Sequence, residues 1–385
     1  MTTDYEKPKL EIADIFTQFD QLLDPLPPEQ WKVVQAIKNC RTGALGGHLV
    51  QCGSCDFQKN AYNSCRNRHC PKCGFTKRNQ WVEKRCEELL DCPYFHVVFT
   101  LPSELRALVL QNKKVMYNIL FKASSETLKQ VAKSQLKVKI GCIGVLHTWS
   151  QSLIDHPHVH FIVPGGGLTD TDKWVKGHQS FFLPIRMLSE VFRGKFLQMV
   201  REANNKNQLK FLGSIEQLNH PGFFNDLLIN CAKKEFIVYS KPPFAGPEAV
   251  IKYLGQYTHR IAISNYRLIK IDGNKVHFKC RDPKDPSKRK TMVLHVKEFM
   301  RRFLLHVLPL KFTRIRHFGL FGSRYKKDRI KLIRDFLNIS QPEAREETWK
   351  DLLKRLTGID ADQCPDCENG KLETRYRIGP FYSTA

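Results

Sequence analysis

Hydrophobic and polar residues follow one another with periods that change from segment to segment, and these periods predict the order of the elements. The stretch PLPPEQWKVVQAIKNC begins with prolines and continues with apolar residues at helical spacing, so residues 1–38 are predicted to form a helical lead-in. Residues 40–75 are rich in Cys, His, Gly and Asn and show little periodicity. Because so short a segment buries little apolar surface, we expect bound metal to stabilise it.

Strand-like and helical patterns alternate after Tyr94. PYFHVVFTLP predicts a strand, and SELRALVLQNKKVMYNILFKASSETLKQVAK predicts one or two amphipathic helices. VKIGCIGVLHTWSQ and HPHVHFIVPGGGL are two strand-like runs with a short polar joint, which indicates an antiparallel hairpin. Helical patterns at 186–206 and 222–234, the strand EFIVYSKP and a helix from about Pro247 complete this part. The combination predicts one α+β domain over residues 93–265.

The C-terminal region, residues 266–385, has a different character. YRLIKIDGNKVHFKC predicts a hairpin, since a DGN turn separates two alternating runs. EFMRRFLLHVL predicts an amphipathic helix, and LKFTRIRHFGLFGSRYKK a basic, aromatic loop. The chain is thus predicted to divide into residues 1–92, 93–265 and 266–385.

Positive charge is the main compositional feature, because 62 Lys and Arg face 38 Asp and Glu and leave a formal net charge of +24. Such an excess favours a polyanionic partner. Residues 267–334 hold 21 basic and five acidic residues, a net of +16, with aromatic residues between them. Basic groups for phosphates and rings for unstacked bases predict a region that binds single-stranded nucleic acid. The predicted DNA-binding residues are Arg260, Arg314, Arg316, Arg324, Lys326 and Lys327.

A membrane protein and a disordered protein are both disfavoured by the sequence. No apolar run approaches the ~18–20 residues that a spanning helix needs, and the 42% hydrophobic content is that of a folded chain. The polar, partly acidic start MTTDYEKPKLEIADIF predicts neither a signal peptide nor a transit peptide. We therefore expect no membrane partner and a cytoplasmic location.

Three C-x-x-C pairs stand out among the 13 cysteines: Cys52/Cys55, Cys70/Cys73 and Cys364/Cys367. In a reducing compartment this spacing indicates metal rather than disulfides, and a structural zinc takes four such ligands in a tetrahedron. The first two pairs are predicted to form one zinc site, which makes residues 1–92 a zinc-binding domain. Cys364/Cys367 is a separate pair near the C-terminus for which two further ligands are not evident.

A second zinc site is predicted from the ligands that remain in the same domain. Taking alternate pairs along the chain gives two interleaved four-ligand sites in a cross-braced module. The alternative for Cys40 is a place in the apolar core of the helical lead-in. The ligands predicted for the second zinc are Cys40, His48, Cys65 and His69.

Histidines in HPHVHFIV give the most informative pattern. His158 and His160 point to the same face of a strand, since successive side chains alternate. If the hairpin pairs Trp149 with His158, His147 lies opposite His160 on that face. Three imidazoles on one side of a divalent ion would leave positions for water and a substrate oxygen. His156 shares the strand parity and is the second choice for the third ligand.

Two tyrosines lie one turn apart on the helix predicted from Pro247. Tyr253 and Tyr257 are spaced i, i+4 and share one helix face. Lone helical tyrosines are usually core-edge residues, but this pair accompanies three histidines and a large positive charge. A tyrosinate attacks a DNA phosphodiester once a metal has polarised the phosphoryl oxygen. Arg260 on the same helix would position the phosphate.

These motifs together resemble a known family. HPHVHFIV, the helix with Tyr253 and Tyr257, LGGHLVQCGSCDF and YNSCRNRHCPKC are similar to the HUH rolling-circle transposases of the insertion-sequence ninety-one type, which carry two tyrosines. The resemblance covers roughly residues 30–330 and includes PGGGL and HVLPLKFTRIRHFG.

The resemblance implies an RRM-like antiparallel-sheet HUH nuclease domain that nicks and rejoins single-stranded DNA at the ends of a mobile element. His158 and His160 match the family's histidine pair, and Tyr253 and Tyr257 match its nucleophile helix. It further implies Mg²⁺ or Mn²⁺ at the histidines, a 5′-phosphotyrosine intermediate and a bacterial, nucleoid-associated protein. Two alternatives stay open: a plasmid rolling-circle replication initiator or relaxase, and a non-catalytic zinc-dependent DNA-binding regulator.

Overall fold

The computed structural model describes residues 8–177, 183–241, 249, 255, 262–282, 285, 287–322, 324–340, 347–367 and 369–381. Its helices are α1 Ile12–Gln18, α2 Pro28–Lys38, α3 Phe75–Cys86, α4 Arg106–Gln111, α5 Lys113–Leu136, α6 Ile185–Asn205, α7 Pro221–Ala232, α8 Val296–Leu305, α9 Lys326–Leu337 and α10 Trp349–Thr357. Its strands are β1 Gly47–Cys52, β2 Gln58–Tyr62, β3 Tyr94–Thr100, β4 Gly141–Trp149, β5 Asp155–Pro164, β6 Gly166–Leu168, β7 Trp174–Lys176, β8 Val238–Lys241, β9 Leu268–Asp272, β10 Lys275–Arg281, β11 Arg289–His295, β12 Ile315–Gly319 and β13 Leu372–Ile378.

A five-stranded antiparallel sheet lies at the centre, in the order β12-β4-β5-β3-β8. The predicted hairpin of the two strand-like runs is confirmed as β4 and β5. Strand β5 lies in the middle and is apolar or histidine-rich along most of its length, as a strand with covered faces must be. The class is α+β, as expected.

Alternation of side chains gives this sheet two different faces. One face carries Phe99 of β3 and Phe161 of β5 and packs against the long helices α5 and α6. Edge-to-face ring contacts join the layers, with Phe99 and Phe192 of α6 at 4.9 Å. This helix-covered face holds the largest core of the molecule.

The opposite face of the sheet is divided between a small core and a polar site. Ile143 of β4 and Ile162 of β5 are covered by Ile330 and Ile333 of α9. Further along the same two strands, residues of the same parity on this face are His147 and the β5 histidines. The site therefore lies on a packed sheet beside a covered apolar patch.

A second core joins the two ends of the chain. Helices α1 and α2 pack with β10 and α8, and Phe16 of α1 meets Phe303 of α8 at 5.6 Å, edge to face. The predicted hairpin β9–β10 and the predicted helix α8 are both confirmed. Leu153, at the tip of the β4–β5 hairpin, is buried in this core and has a left-handed φ of 61°.

Two strands of the predicted C-terminal region, residues 266–385, pair with strands from earlier parts of the chain. Strand β12 pairs with β4 of the central sheet, from Ile315 opposite Val145 to Gly319 opposite Gly141. Strand β13 pairs with β1 near the N-terminus. The loop predicted at LKFTRIRHFGLFGSRYKK is wrong over 315–319, because a five-residue basic run still pairs as an edge strand when a neighbour offers its backbone.

The aromatic residues of this segment are also placed differently from the prediction. Phe299 and Phe303 lie in the second core, Phe312 lies in the core under α5, and Phe321 lies under α9. Tyr325, in the same segment, has an exposed aromatic side chain, at 48%. The four buried phenylalanine rings thus stabilise the fold and are not exposed for stacking with bases. Within the described residues, no helix is long and apolar enough to span a bilayer.

Candidate active site and metal sites

Three histidines meet on the polar part of the central sheet. His147 of β4 lies opposite His158 of β5, and Val145 lies opposite His160. One ring nitrogen of each histidine lies within 4.8 Å of the others. The ring centroids of His147 and His160 are 4.5 Å apart, and those of His158 and His160 are 4.8 Å apart. Three imidazole nitrogens at this separation can hold one divalent ion.

The register of the hairpin differs from the prediction by two residues at His147, which lies opposite His158 and not His160. Trp149 lies opposite Asp155 and not His158, and a bulge lies between His147 and Trp149. A shift by an even number keeps every side chain on its face, so the three histidines still converge. His156, the second choice for a ligand, is exposed and is not part of the cluster.

Hydrogen bonds at the far side of the rings orient two of these histidines. His158 Nδ1 donates to the carbonyl oxygen of His156 at 2.6 Å. His160 Nδ1 and His96 Nε2 are 2.7 Å apart, and their rings are stacked. In both residues Nε2 is the nitrogen that would face a metal. His96 is not among the predicted site residues, although it shares the parity of the β3 residues on this face.

Burial favours the neutral form of the imidazoles of His158 and His96. Desolvation lowers the pKa of His158 to about 3 and that of His96 to about 4. His147 is 3% exposed and His160 7%. A neutral imidazole is the form that ligates a metal, so the donor set fits a divalent ion near neutral pH.

An aromatic and cationic stack supports His147 from the side. The indole of Trp149 lies over the His147 ring, with centroids 4.9 Å apart and planes 19° apart. The guanidinium of Arg314 lies 4.9 Å from the Trp149 ring, and its Nε donates to the carbonyl oxygen of Leu146 at 3.0 Å. Burial lowers the pKa of Arg314 to about 9. Arg314 therefore belongs to the frame of the histidine site.

Four cysteines of the N-terminal part form a compact cluster. Cys40 follows α2, and Cys65, Cys70 and Cys73 come from the loop before α3. The Cys73 sulfur lies 3.5 Å from that of Cys40 and 3.6 Å from that of Cys65. A tetrahedral zinc with bonds of ~2.3 Å separates its sulfurs by about 3.8 Å, whereas a disulfide needs ~2.05 Å. These spacings are those of a zinc-thiolate site.

A second cluster joins distant parts of the chain. Cys52 and Cys55 lie at the turn between β1 and β2, and Cys364 and Cys367 lie before β13. The sulfurs of Cys52 and Cys367 are 3.7 Å apart, as are those of Cys55 and Cys364. The separate C-terminal pair of the sequence thus finds its partners at the other end of the protein.

Two family models match the chain. One, described as "Putative transposase", matches residues 141–329, which include the histidine site. The other, described as "Transposase zinc-binding domain", matches residues 12–101, which include the first cysteine cluster.

Two curated relatives agree with these models. A "Putative transposase y4qJ" of Sinorhizobium fredii is 44% identical over 94% of this chain and 94% of its own length. The chain belongs to the IS91 family of transposases. A "Transposase for insertion sequence element IS801" of Pseudomonas savastanoi pv. phaseolicola is 26% identical over 85% of this chain and 79% of its own. No solved structure matches.

This IS91-family transposase is therefore an enzyme of DNA transposition with DNA as its substrate, as the resemblance implied. Its zinc-binding domain and cysteine clusters point to zinc. The predicted nucleophiles Tyr253 and Tyr257 and the predicted phosphate contact Arg260 lie outside the described residues. Gly255, between the two tyrosines, is helical and buried, and a Cβ added there would clash with Val82 of α3.

The ligand sets predicted for zinc in the transposase need correction. Cys52 and Cys55 do not meet Cys70 and Cys73, because the β1–β2 hairpin carries the first pair to its turn. His48 lies four residues before Cys52 on β1, and four residues of strand span ~13 Å. His69 turns away from the sulfurs, and its Nε2 accepts a weak hydrogen bond from the Leu308 amide at 3.5 Å. Within the described residues, each cluster contains cysteines alone.

The predicted DNA-binding residues divide into internal and exposed ones. The Arg316 guanidinium packs on the rings of Phe121 and Phe312, at 4.4 and 4.8 Å, and donates to Asn118. Lys326 is half-buried in an ion pair with Glu88. Arg314 and Arg316 therefore make contacts within the fold, Lys326 joins α9 to the segment after α3, and binding of DNA by the three stays a prediction. Arg324 and Lys327 are exposed on either side of the start of α9.

Proposed function

We propose that this transposase nicks and rejoins single-stranded DNA at the ends of its element by metal-assisted tyrosine transesterification. The observation that carries the proposal is the meeting of His147, His158 and His160 on one face of the central sheet. Three imidazoles on one side of an ion leave its other positions for a phosphate oxygen and water. The family membership supplies the DNA substrate.

The proposed chemistry conserves the number of phosphodiester bonds. The phenolic oxygen of Tyr253 or Tyr257 bonds to the scissile phosphorus, and the bond from phosphorus to the 3′ oxygen breaks. The phenol gives up a proton and the leaving 3′ oxygen gains one, so the products are a 5′-phosphotyrosine and a free 3′-OH. A 3′-OH later attacks the phosphotyrosine in the reverse sense. Two tyrosines allow two ends to be handled in succession without an external energy source.

The histidine site would hold Mg²⁺ or Mn²⁺. The ion supplies Lewis-acid polarisation of the phosphoryl oxygen and neutralises developing charge. Imidazole nitrogens are poor ligands for Mg²⁺, which prefers oxygen, and they suit transition metals better. The donor set therefore favours Mn²⁺ as the more effective of the two.

The residues around the histidines keep the site rigid. The hydrogen bond to His96 and the stack of Trp149 and Arg314 fix the rings of His160 and His147 from two sides. Fixed ligands hold the ion, and through it the phosphate, at one place on the sheet. Gly255, between the two tyrosines in sequence, lies against Val82 of α3, a helix within the part of the chain that matches the zinc-binding domain.

A covalent-adduct assay tests this function. The protein is incubated with labelled single-stranded DNA carrying an element end, with Mn²⁺ or Mg²⁺, and the products are separated on a denaturing gel. We expect a labelled protein band with the wild type and none with Tyr253→Phe/Tyr257→Phe. His158→Ala/His160→Ala should lose the adduct and keep DNA binding.

Matched variants control for loss of a ring elsewhere. Tyr239→Phe changes an exposed tyrosine on β8, and His220→Ala removes a helix-capping histidine, so both should form the adduct at wild-type level. An adduct that persists in Tyr253→Phe/Tyr257→Phe would overturn the nucleophile assignment. DNA binding without any adduct on single strands, with either metal, would overturn the proposed chemistry.

A further inference from the structure

We propose that Cys52, Cys55, Cys364 and Cys367 bind a second structural zinc ion that fastens the C-terminal segment to the zinc-binding domain. Two of these ligands lie far beyond residues 12–101, the part of the chain that matches the family's zinc-binding domain. The proposal does not depend on the nicking chemistry, because no residue of the histidine site contributes to it.

The sulfur geometry is that of an ion-binding site. The sulfur of Cys52 lies 3.7 Å from that of Cys367, and the sulfur of Cys55 lies 3.7 Å from that of Cys364. A tetrahedron of sulfurs around zinc requires about 3.8 Å, and a disulfide requires ~2.05 Å. All four cysteines are unbridged, and Cys52 and Cys364 are buried at 3% and 1% exposure.

The backbone around both pairs supports thiolates. The amide of Ser54 donates to the sulfur of Cys52 at 3.3 Å, and the amide of Asp366 donates to that of Cys364 at 3.5 Å. In the first cluster the amide of Asn67 donates to Cys65 in the same way, at 3.4 Å. Each donor lies two residues after its cysteine, so the three turns have the same amide-to-sulfur hydrogen bond. Amide donors to sulfur stabilise the charged thiolates that a zinc ion needs.

A close approach of backbone to sulfur shows that the second cluster is tightly built. A Cβ added to Gly370 would clash with the Cys52 sulfur and lie 3.1 Å from that of Cys367. The carbonyl oxygen of Gly370 accepts from the Cys364 amide at 2.8 Å, which closes the loop around the second pair. Only a residue without a side chain fits there, so the glycine is explained by the sulfurs beside it.

The position of the cluster gives its role. Four thiolates complete a tetrahedron and leave no open position, which is the arrangement of structural and not catalytic zinc. From the cluster, β13 runs along β1 from Leu372 opposite Cys52 to Ile378 opposite Gly47. The ion would fix the first residues of this pairing and so hold the last described strand in its sheet.

Zinc stoichiometry in the full-length protein tests the proposal. Zinc per chain is measured by plasma mass spectrometry after purification without added metal. In a His158→Ala/His160→Ala background, which removes the histidine site as a place for zinc, we expect two ions per chain, one after Cys364→Ser/Cys367→Ser and one after Cys40→Ser/Cys65→Ser. Cys86→Ser/Cys231→Ala removes two cysteines outside both clusters and should keep two ions.

A glycine variant guards against misfolding of the cysteine variants. Gly370→Ala keeps every thiolate, and we expect it to release one of its two ions at a chelator concentration at least tenfold lower than the wild type. Two ions after Cys364→Ser/Cys367→Ser in the His158→Ala/His160→Ala background, or identical release curves for Gly370→Ala and the wild type, would overturn the proposal. A wild type with one ion and disulfides between the two pairs would overturn it as well.

Discussion

His96 and His160 act as a hydrogen-bonded pair at the histidine cluster. Removing the partner of a metal-ligating histidine typically costs 10–100-fold in metal affinity. We therefore expect His96→Phe to raise the Mn²⁺ concentration for half-maximal nicking by about that factor. The maximal rate at saturating Mn²⁺ should fall much less, because His96 positions a ligand and does not touch DNA. Nicking measured across a metal titration checks this.

A glutamine at position 96 provides the control. The amide nitrogen of glutamine reaches roughly where Nε2 of histidine lies, so His96→Gln should recover much of the metal affinity lost in His96→Phe. Equal losses in both variants, with a lower maximal rate and an unchanged metal requirement, would mean that His96 only fills space.

Asp155, opposite Trp149, is a buried carboxylate that costs stability. It is 2% exposed, neither oxygen has a hydrogen-bond partner, and burial raises its pKa from 3.8 to about 6. The folded state therefore binds the proton more tightly than the unfolded state, and stability falls as the pH rises from about 4 through 6. Asp155→Asn should add up to about 3 kcal/mol to the free energy of unfolding at pH 7.5.

At pH 4.5 the same change should add only about 1 kcal/mol, because the carboxyl of the folded protein is then protonated while that of the unfolded chain is mostly ionised. Urea unfolding of the wild type and Asp155→Asn at the two pH values measures the difference. A gain of the same size at both pH values would show that the unpaired charge is not its cause.

The start of α9 is the element where the predicted basic surface remains exposed. Arg324 and Lys327 flank the exposed ring of Tyr325, with the Arg324 guanidinium 5.3 Å from the ring. If each contacts a phosphate, Arg324→Gln/Lys327→Gln should lower the slope of log affinity against log salt by about 1.4 for single strands. Binding measured from low to moderate salt gives the slope.

Lys122→Gln/Lys129→Gln is the matched variant, since it removes two exposed charges from α5, on the helix-covered side of the sheet. Its slope should equal that of the wild type. An equal drop in both variants would mean that overall charge, and not the start of α9, sets the salt dependence.

Elements with a strong local signal were predictable from the sequence. The β4–β5 hairpin follows from two alternating runs, and the face shared by its histidines depends only on an even spacing, so it survived an error of two residues in register. The partner of His160 was missed because His96 lies 64 residues away, and nothing in PYFHVVFTLP distinguishes it from a core histidine. Strand β12 was not predicted because the evidence for it is its pairing with β4, and its own sequence does not show that pairing.

At the scale of the whole molecule, segments from the two ends of the chain contact each other. The sequence alone could not predict these contacts. Spacing within a C-x-x-C pair is local, but which pair meets which depends on how β13 returns to β1. The same holds for the net charge, whose basic residues divide between internal contacts and exposed positions only once the chain has folded.

Two truncated chains test separately the role of the C-terminal cysteine segment and the role of β12. A chain ending at residue 346 keeps all five strands of the central sheet and should still form the covalent adduct, with reduced thermal stability and zinc content. A chain ending at residue 310 lacks β12, leaves β4 as an open edge and should form none. The adduct assay and zinc analysis compare them. Wild-type adduct formation by the shorter chain would contradict the role given to β12.

The late position of β12 has a consequence for biosynthesis. The sheet that carries the histidines gains its edge strand only after residue 319 has left the ribosome, and the second cysteine cluster is complete only after residue 367. A product that stops before β12, after a frameshift or a premature stop, would therefore contain the histidines and tyrosines without the edge strand of their sheet. Synthesis past residue 319 becomes a condition for cutting DNA, so chains that stop earlier would pose little danger to the genome that encodes them.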